Sequence, residues 1–198
     1  MLSRNKYSFR WKFAHYVLKF LFKVLTGGRV VNKEKLKIPD KPVIIVGNHS
    51  SYMDPPLIIA FWEREIYFLG HAGLFKNPIF GGFLKFFNGL PLPAGFKKSY
   101  ELLDMGYDIG IFPEGGRNKL PDVKIGAFKL SKDKNVPVIV FGIYGNRGRV
   151  FKKVPRWIFK RGLYLVYLKT LYPESFRDAE EIAEEFRKTI MEFIEKYQ

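Results

Sequence analysis

The chain has 198 residues, 47% of them hydrophobic and 17% aromatic, which excludes a disordered tail and fits one domain able to bury its own core. It contains no cysteine, so disulfides, thiolate zinc sites and cysteine nucleophiles are excluded and a reducing compartment fits. The formal charge is +15: residues 1–41 hold eleven Lys and Arg against two acids, residues 147–161 hold seven against none, and such fields attract nucleic acid, anionic membrane or phosphorylated small molecules.

Near the start, Trp11, Ala14, Leu18, Leu21, Phe22 and Leu25 recur at helical spacing, and Phe13, Tyr16, Val17, Phe20 and Val24 widen the apolar face. Lys12, Lys19 and Lys23 gather on a narrower stripe. The pattern predicts an amphipathic helix within residues 1–28 lying in a membrane interface, with Trp11, Lys12, Lys19, Phe22 and Lys23 at the lipid. The alternative is an ordinary helix packed on the domain. Lysines interrupt every window of about 20 residues that a membrane crossing needs, and no signal-peptide core or cleavage site follows.

Further along, apolar runs predict strands over 43–47, 66–69, 90–92, 107–112, 136–144 and 163–168. Helices are predicted from Asp54, with Pro55 and Pro56 in its first turn, and over 79–87, 97–105, 125–132 and 178–197. Strands alternating with helices predict an α/β fold, a single layered domain over 29–198 with a largely parallel central sheet flanked by helices. Residues 147–161 interleave cations with aromatics. Arg149, Lys152, Lys153, Arg156, Trp157 and Lys160 are expected at the membrane, each cation near an anionic surface contributing about 1 kcal/mol. Single-stranded nucleic acid would also suit such a segment, but no RRM, KH or OB-fold signature accompanies it, and no nucleic-acid partner is expected.

Two polar runs each follow a predicted strand. Asn48-His49-Ser50-Ser51-Tyr52-Met53-Asp54 sets a histidine and a carboxylate five positions apart, the form in which a general base and its orienting partner can reach the rim of a sheet. Taken alone, the aspartate could instead cap the next helix while the histidine sits in a loop. The second run is Phe112-Pro113-Glu114-Gly115-Gly116-Arg117-Asn118, in which Arg117 can grip a phosphate by two parallel hydrogen bonds and Gly115 and Gly116 admit backbone amides close to an anion. The three histidines, His15, His49 and His71, have no metal-ligand spacing, and no Walker-type or dinucleotide loop is present.

Together these runs resemble the glycerolipid acyltransferases typified by bacterial lysophosphatidate acyltransferases. Four blocks carry the resemblance across roughly residues 43 to 145: Asn48-His49 with Asp54; Pro78-x-x-Gly81 leading to Gly89-Leu90-Pro91-Leu92; Phe112-Pro113-Glu114-Gly115-Gly116-Arg117 with Lys124-Ile125-Gly126-Ala127; and Val136-Pro137-Val138-Ile139. The resemblance implies transfer of a fatty acyl chain from acyl-CoA or acyl carrier protein, a substrate and not a cofactor, to a lysophospholipid hydroxyl at the cytoplasmic face of the membrane. It makes 1-acylglycerol-3-phosphate the expected acceptor, His49 the base, Asp54 its partner, and Asn48, Glu114, Gly115, Gly116 and Arg117 binding residues.

This chain departs from the family pattern in three places. Gly116 replaces a threonine, the usual lysine falls near His71 or Ala72, and the usual Asp-Arg falls at Pro93-Ala94. His71, Lys76, Lys97 and Lys98 are the nearby groups that could contact the acceptor instead; otherwise a different lyso-lipid is implied. Phe75, Phe80, Phe83, Phe86 and Phe87 could line an acyl groove, but their spacing assigns most of them to the core. A reading of another class is a non-catalytic basic module that binds anionic membrane or nucleic acid.

Overall fold

Val43 to Val46 form an unbroken apolar run because their strand is covered on both faces, the condition under which hydrophobic alternation disappears from a sequence. In the computed structural model, which describes residues 7–115, 123–145 and 163–197, the elements follow in the order α1 (Phe9–Thr26), β1 (Arg29–Val31), β2 (Ile44–Gly47), α2 (Asp54–Phe61), β3 (Ile66–Gly70), α3 (Pro78–Phe86), β4 (Gly89–Pro91), α4 (Ala94–Asp104), β5 (Asp108–Gly110), α5 (Gly126–Lys134), β6 (Val138–Tyr144), β7 (Tyr164–Leu171) and α6 (Ala179–Tyr197). The strands make one sheet in the order β1-β7-β6-β2-β5-β3-β4, parallel at every pairing except β6 with β7.

The predicted layered α/β fold is therefore present. Val43, Ile45, Ile139, Phe141 and Ile143 point to one core, shared with Trp11, Leu18 and Phe22 of α1 and Leu57 to Ala60 of α2. Ile44, Val46, Val138 and Val140 point to the other, filled by Leu102 and Leu103 of α4, Phe128 and Leu130 of α5, and Ile182, Phe186 and Ile190 of α6. The edge strand β1 was not expected, since three residues with a partly exposed pattern carry no periodic signal.

Helix α1 begins at Ser8, whose Oγ accepts the Trp11 amide hydrogen at 3.2 Å, and ends at Gly27 in the left-handed conformation. Trp11 and Phe22, expected at lipid, are only 4% and 3% exposed and belong to the core. The correction has a simple cause: α1 is apolar on two faces, and the one bearing Trp11, Ala14, Leu18 and Phe22 packs on α2. Phe9, Phe13, Tyr16, Phe20 and Val24 share the opposite, exposed face; Lys12 and Lys23 beside them are exposed and Lys19 half-buried. Among the described residues no helix is long and apolar enough to cross a membrane. Arg149, Lys152, Lys153, Arg156, Trp157 and Lys160 lie outside the described residues, as do Gly116 and Arg117.

The five phenylalanines assigned mostly to core are not buried there. Phe83 and Phe86 are exposed, and Phe75, Phe80 and Phe87 are half-buried. The reason lies in how α3 sits: it packs through Gly81, where an added Cβ would lie 2.5 Å from the Phe75 carbonyl oxygen, so the helix rests on the turn Ala72–Phe75 and turns its other side outward.

At the N-terminal edge of the sheet a buried carboxylate fixes the register of its central strands. Asp108 Oδ1 accepts from the Val43 amide (2.9 Å) and Arg64 Nη2 (2.8 Å), while Oδ2 accepts from Arg64 Nε (2.8 Å) and Trp62 Nε1 (2.7 Å). Four donors, one guanidinium among them, offset the desolvation of this group. Asp108→Ala, which strands Arg64 and the Val43 amide, should lower the unfolding free energy by about 3–5 kcal/mol in urea titrations.

A second test concerns the docking of α1. His15 Nδ1–H donates to the Ile59 carbonyl at 2.8 Å, and burial pushes its pKa below the ordinary 6.5. Because the unfolded chain then binds the proton more readily, stability should be full above pH 6.5 and decline as pH falls below it toward the depressed folded value. The urea midpoint of His15→Gln should show a smaller loss on acidification than the unsubstituted protein does.

Candidate active site

Parallel strands β2 and β5 are neighbours, paired Ile44 to Ile109 and Ile45 to Gly110, so the segments that leave their C-terminal ends emerge side by side. That juxtaposition brings the two polar runs together. The His49 amide donates to Glu114 Oε1 at 2.9 Å, and the His49 ring lies parallel to Phe112, with centroids 4.2 Å apart and an interplanar angle of 18°. Phe112 in turn stacks on Phe68 of β3 at 6.2 Å.

Asp54 opens α2 but does not cap it. Its Oδ2 accepts from the amides of Ser50 and Ser51, both at 2.8 Å, and from His49 Nδ1–H at 2.9 Å, and the side chain is 0% exposed. The carboxylate thus folds the loop back on itself and holds the imidazole by one nitrogen. The other nitrogen, Nε2, is left with its lone pair for a proton when the ring is neutral. The ring is thus clamped by the carboxylate at its edge and by Phe112 on its face.

Two residues expected to bind substrate also hold the loop. Asn48 is buried, and its amide is spent on β6: Nδ2 donates to the Ile143 carbonyl (3.0 Å) and Oδ1 accepts the Ile143 amide hydrogen (2.7 Å). It anchors the histidine loop to the sheet. Glu114 is likewise buried, and its Oε1 accepts the His49 amide hydrogen. Gly115 keeps the expected freedom: its φ of 64° is one that side-chain-bearing residues rarely adopt, and Lys124 closes the turn through its amide to the Pro113 carbonyl at 2.7 Å. Phe112 went unassigned as a functional residue although it stands inside the motif, because stacking on a histidine 63 positions away leaves no local trace.

The remaining candidates lie along the same edge without touching His49. His71 follows β3, two strands from β2, and its Nδ1 accepts the Gly73 amide hydrogen at 3.1 Å, so it caps the turn Ala72–Phe75. Lys76 and Lys97 are exposed, and Lys98 pairs with Glu101 at 2.6 Å. Among the described residues no group of three or more His, Asp or Glu is placed to hold a metal ion.

Comparison with known proteins places this geometry. The family model described as "Acyltransferase" matches residues 28–144, more than half the chain. The chain is 26% identical over 200 residues to a chloroplastic 1-acyl-sn-glycerol-3-phosphate acyltransferase of Brassica napus, covering 93% of this chain and 57% of that protein. It is 28% identical over 153 residues to a probable 1-acyl-sn-glycerol-3-phosphate acyltransferase of Mycoplasma pneumoniae, covering 70% and 58%. The chain thus spans a little over half the length of these two curated relatives. Among solved structures, the 1-acyl-sn-glycerophosphate acyltransferase PlsC from Thermotoga maritima superposes with a TM-score of 0.70 at 26% identity, over 94% of this chain and 77% of that one.

The loop geometry predicts its own consequence. Nitrogen NMR should find the neutral His49 ring protonated on Nδ1. Asp54→Ala should move that proton toward Nε2 and, by leaving the Ser50 and Ser51 amides without their acceptor, lower the unfolding free energy by about 2–4 kcal/mol.

Proposed function

The chain belongs to the acyltransferase family, and from that premise we propose that it moves a fatty acyl chain from an acyl thioester to the free hydroxyl of a lysophospholipid, with 1-acylglycerol-3-phosphate as acceptor and phosphatidate as product. The observation that carries this reading is the Asp54–His49 hydrogen bond of 2.9 Å beside Glu114, at the meeting of β2 and β5. The relatives' names supply the acceptor.

In this mechanism Nε2 of His49 takes the proton of the acceptor hydroxyl as its oxygen attacks the thioester carbonyl. The tetrahedral intermediate collapses, the carbon–sulfur bond breaks, and the imidazolium returns the proton to the departing thiolate, which may be followed as free thiol. No covalent acyl-enzyme is required, and the chain has no cysteine to form one. Arg117 is assigned the acceptor phosphate, held by paired hydrogen bonds. The donor is acyl-CoA or acyl carrier protein; the latter is acidic, and a chain of charge +15 suits it.

The site of action we assign is the cytoplasmic face of the membrane, where anionic lipids attract Lys12 and Lys23 and the outer face of α1 enters the interface. A second acceptor class is favoured by one observation: His71 is engaged as a cap, and the resemblance puts the family's usual Asp-Arg at Pro93-Ala94. The same chemistry on another lyso-lipid follows if those groups matter for the phosphate.

Purified protein given lysophosphatidate and other lyso-lipids with each donor should yield diacyl product by mass spectrometry, lysophosphatidate being used fastest. His49→Ala should lower turnover by about 10²–10⁴-fold while liposome binding and circular dichroism stay unchanged. Undiminished transfer by that variant would overturn the role given to His49, and no transfer by the unsubstituted protein to any acceptor would overturn the enzymatic reading in favour of a binding module.

A further inference from the structure

Among the described residues, helix α3 carries a second exposed apolar stripe. Ile79 is 85% exposed, Phe83 47% and Phe86 41%, at positions i, i+4 and i+7 of one helical face. A stripe of this kind ordinarily faces a core. Here the inward side of α3 is already supplied by others. Gly81 rests on the turn Ala72–Phe75, Phe87 packs on the core shared with α1, and Phe80 meets Tyr52 of the histidine loop edge to face at 5.9 Å.

The stripe is joined to the exposed face of α1 by a buried polar cluster. Asn88, just after α3, donates from Nδ2 to Glu65 Oε1 at 3.0 Å and accepts from Arg10 Nη2 at 2.5 Å. Glu65 also accepts the amide and hydroxyl hydrogens of Ser8, both at 2.9 Å, which fixes the start of α1. The Arg10 guanidinium lies 5.9 Å from the centre of the Phe86 ring. The ends of the two helices are therefore held together.

Charge identifies what covers this face. Residues 66–100 contain no acidic residue and four lysines, Lys76, Lys85, Lys97 and Lys98, all exposed; α1 has no acidic residue either. Exposed aromatic and aliphatic tips in a stretch rich in lysine complement an anionic lipid surface, and a net charge of +15 disfavours a second copy of the same chain.

We propose that α3 is a second membrane-inserting element: Ile79, Phe83 and Phe86 enter the same anionic leaflet as the outer face of α1, and the His49 loop, resting on α3 through Tyr52 and Phe80, is seated at the lipid headgroups. This rests on the reading above that the acceptor is a membrane lipid, and it adds where the enzyme touches that membrane.

The absence of native cysteine makes the test direct. Single cysteines replacing Ile79, Phe20 on the outer face of α1, or the exposed Glu180 of α6 accept an environment-sensitive fluorophore. On vesicles of phosphatidylcholine and phosphatidylglycerol, the labels at 79 and 20 should shift to the blue and be quenched by doxyl lipids, while the label at 180 stays aqueous. Ile79→Ser should weaken vesicle partitioning about tenfold with the thermal unfolding midpoint unchanged, since that side chain is 85% exposed. A label at 20 that responds while that at 79 does not would overturn the proposal. So would self-association, seen by sedimentation, that shields position 79 without lipid. A protein that inserts position 79 yet transfers no acyl chain to any acceptor would refute the reaction and leave this surface standing.

Discussion

One oxygen atom organises the candidate site. Asp54 Oδ2 takes the Ser50 and Ser51 amide hydrogens and the His49 ring N–H, all within 2.9 Å, in a side chain with no exposure to solvent. A carboxylate so far from water is tolerable only when donors replace its hydration, and three converge on a single lone-pair region. The loop from Asn48 to Asp54 is thereby closed and the imidazole aimed by one and the same interaction. Its far end is fixed independently, since Asn48 is tied by two hydrogen bonds to the backbone of Ile143. Glu114 then holds the middle, at the His49 amide. A histidine whose backbone, ring edge and ring face are all engaged has little rotamer entropy left to lose when a substrate arrives.

The layered α/β architecture was legible because its signals are local. Apolar runs of strand length, separated by helical repeats and by Pro55, Pro56 and Pro78 at helix starts, marked every element except β1 and the short turns. His49, Asp54 and Glu114 were legible for the same reason, each falling just past a strand. Their partners were not. Asn48 bonds to residue 143 and Glu114 to residue 49, and such pairings depend on β2 lying between β6 and β5, an order no local pattern encodes. His71 shows the opposite error: it stands where a binding cation was sought, but it bonds two residues away and is absorbed by its own turn.

Helices α1 and α3 expose a limit of hydrophobic patterning. An amphipathic stripe tells which side of a helix is buried only when the other side is polar. Helix α1 is apolar on both sides, and its lysines occupy only the boundary between them. Shape then decides. Trp11, Leu18 and Phe22 fill the space over α2, and His15 gains a carbonyl partner at Ile59, whereas the aromatic rings at 9, 13, 16 and 20 stay exposed. In α3 the glycine at 81 makes the choice, because only that side lets the helix approach the backbone of Phe75. Size and close approach settle orientation where polarity leaves it open.

The arrangement of site and surface also bears on the cost of catalysis. Drawing a long acyl chain out of a bilayer into water forfeits about 0.8 kcal/mol per methylene, more than ~10 kcal/mol for an ordinary fatty chain. That cost is of the same order as what positioning and proton transfer together can supply. With α1 and α3 seated in the leaflet as proposed, the acceptor keeps its tail among lipids and presents only its headgroup and hydroxyl. The contact of Tyr52 with Phe80 sets the loop beyond β2 beside α3, so under that proposal His49 would meet the hydroxyl without lifting the chain, and the exposed aromatics would lower this cost.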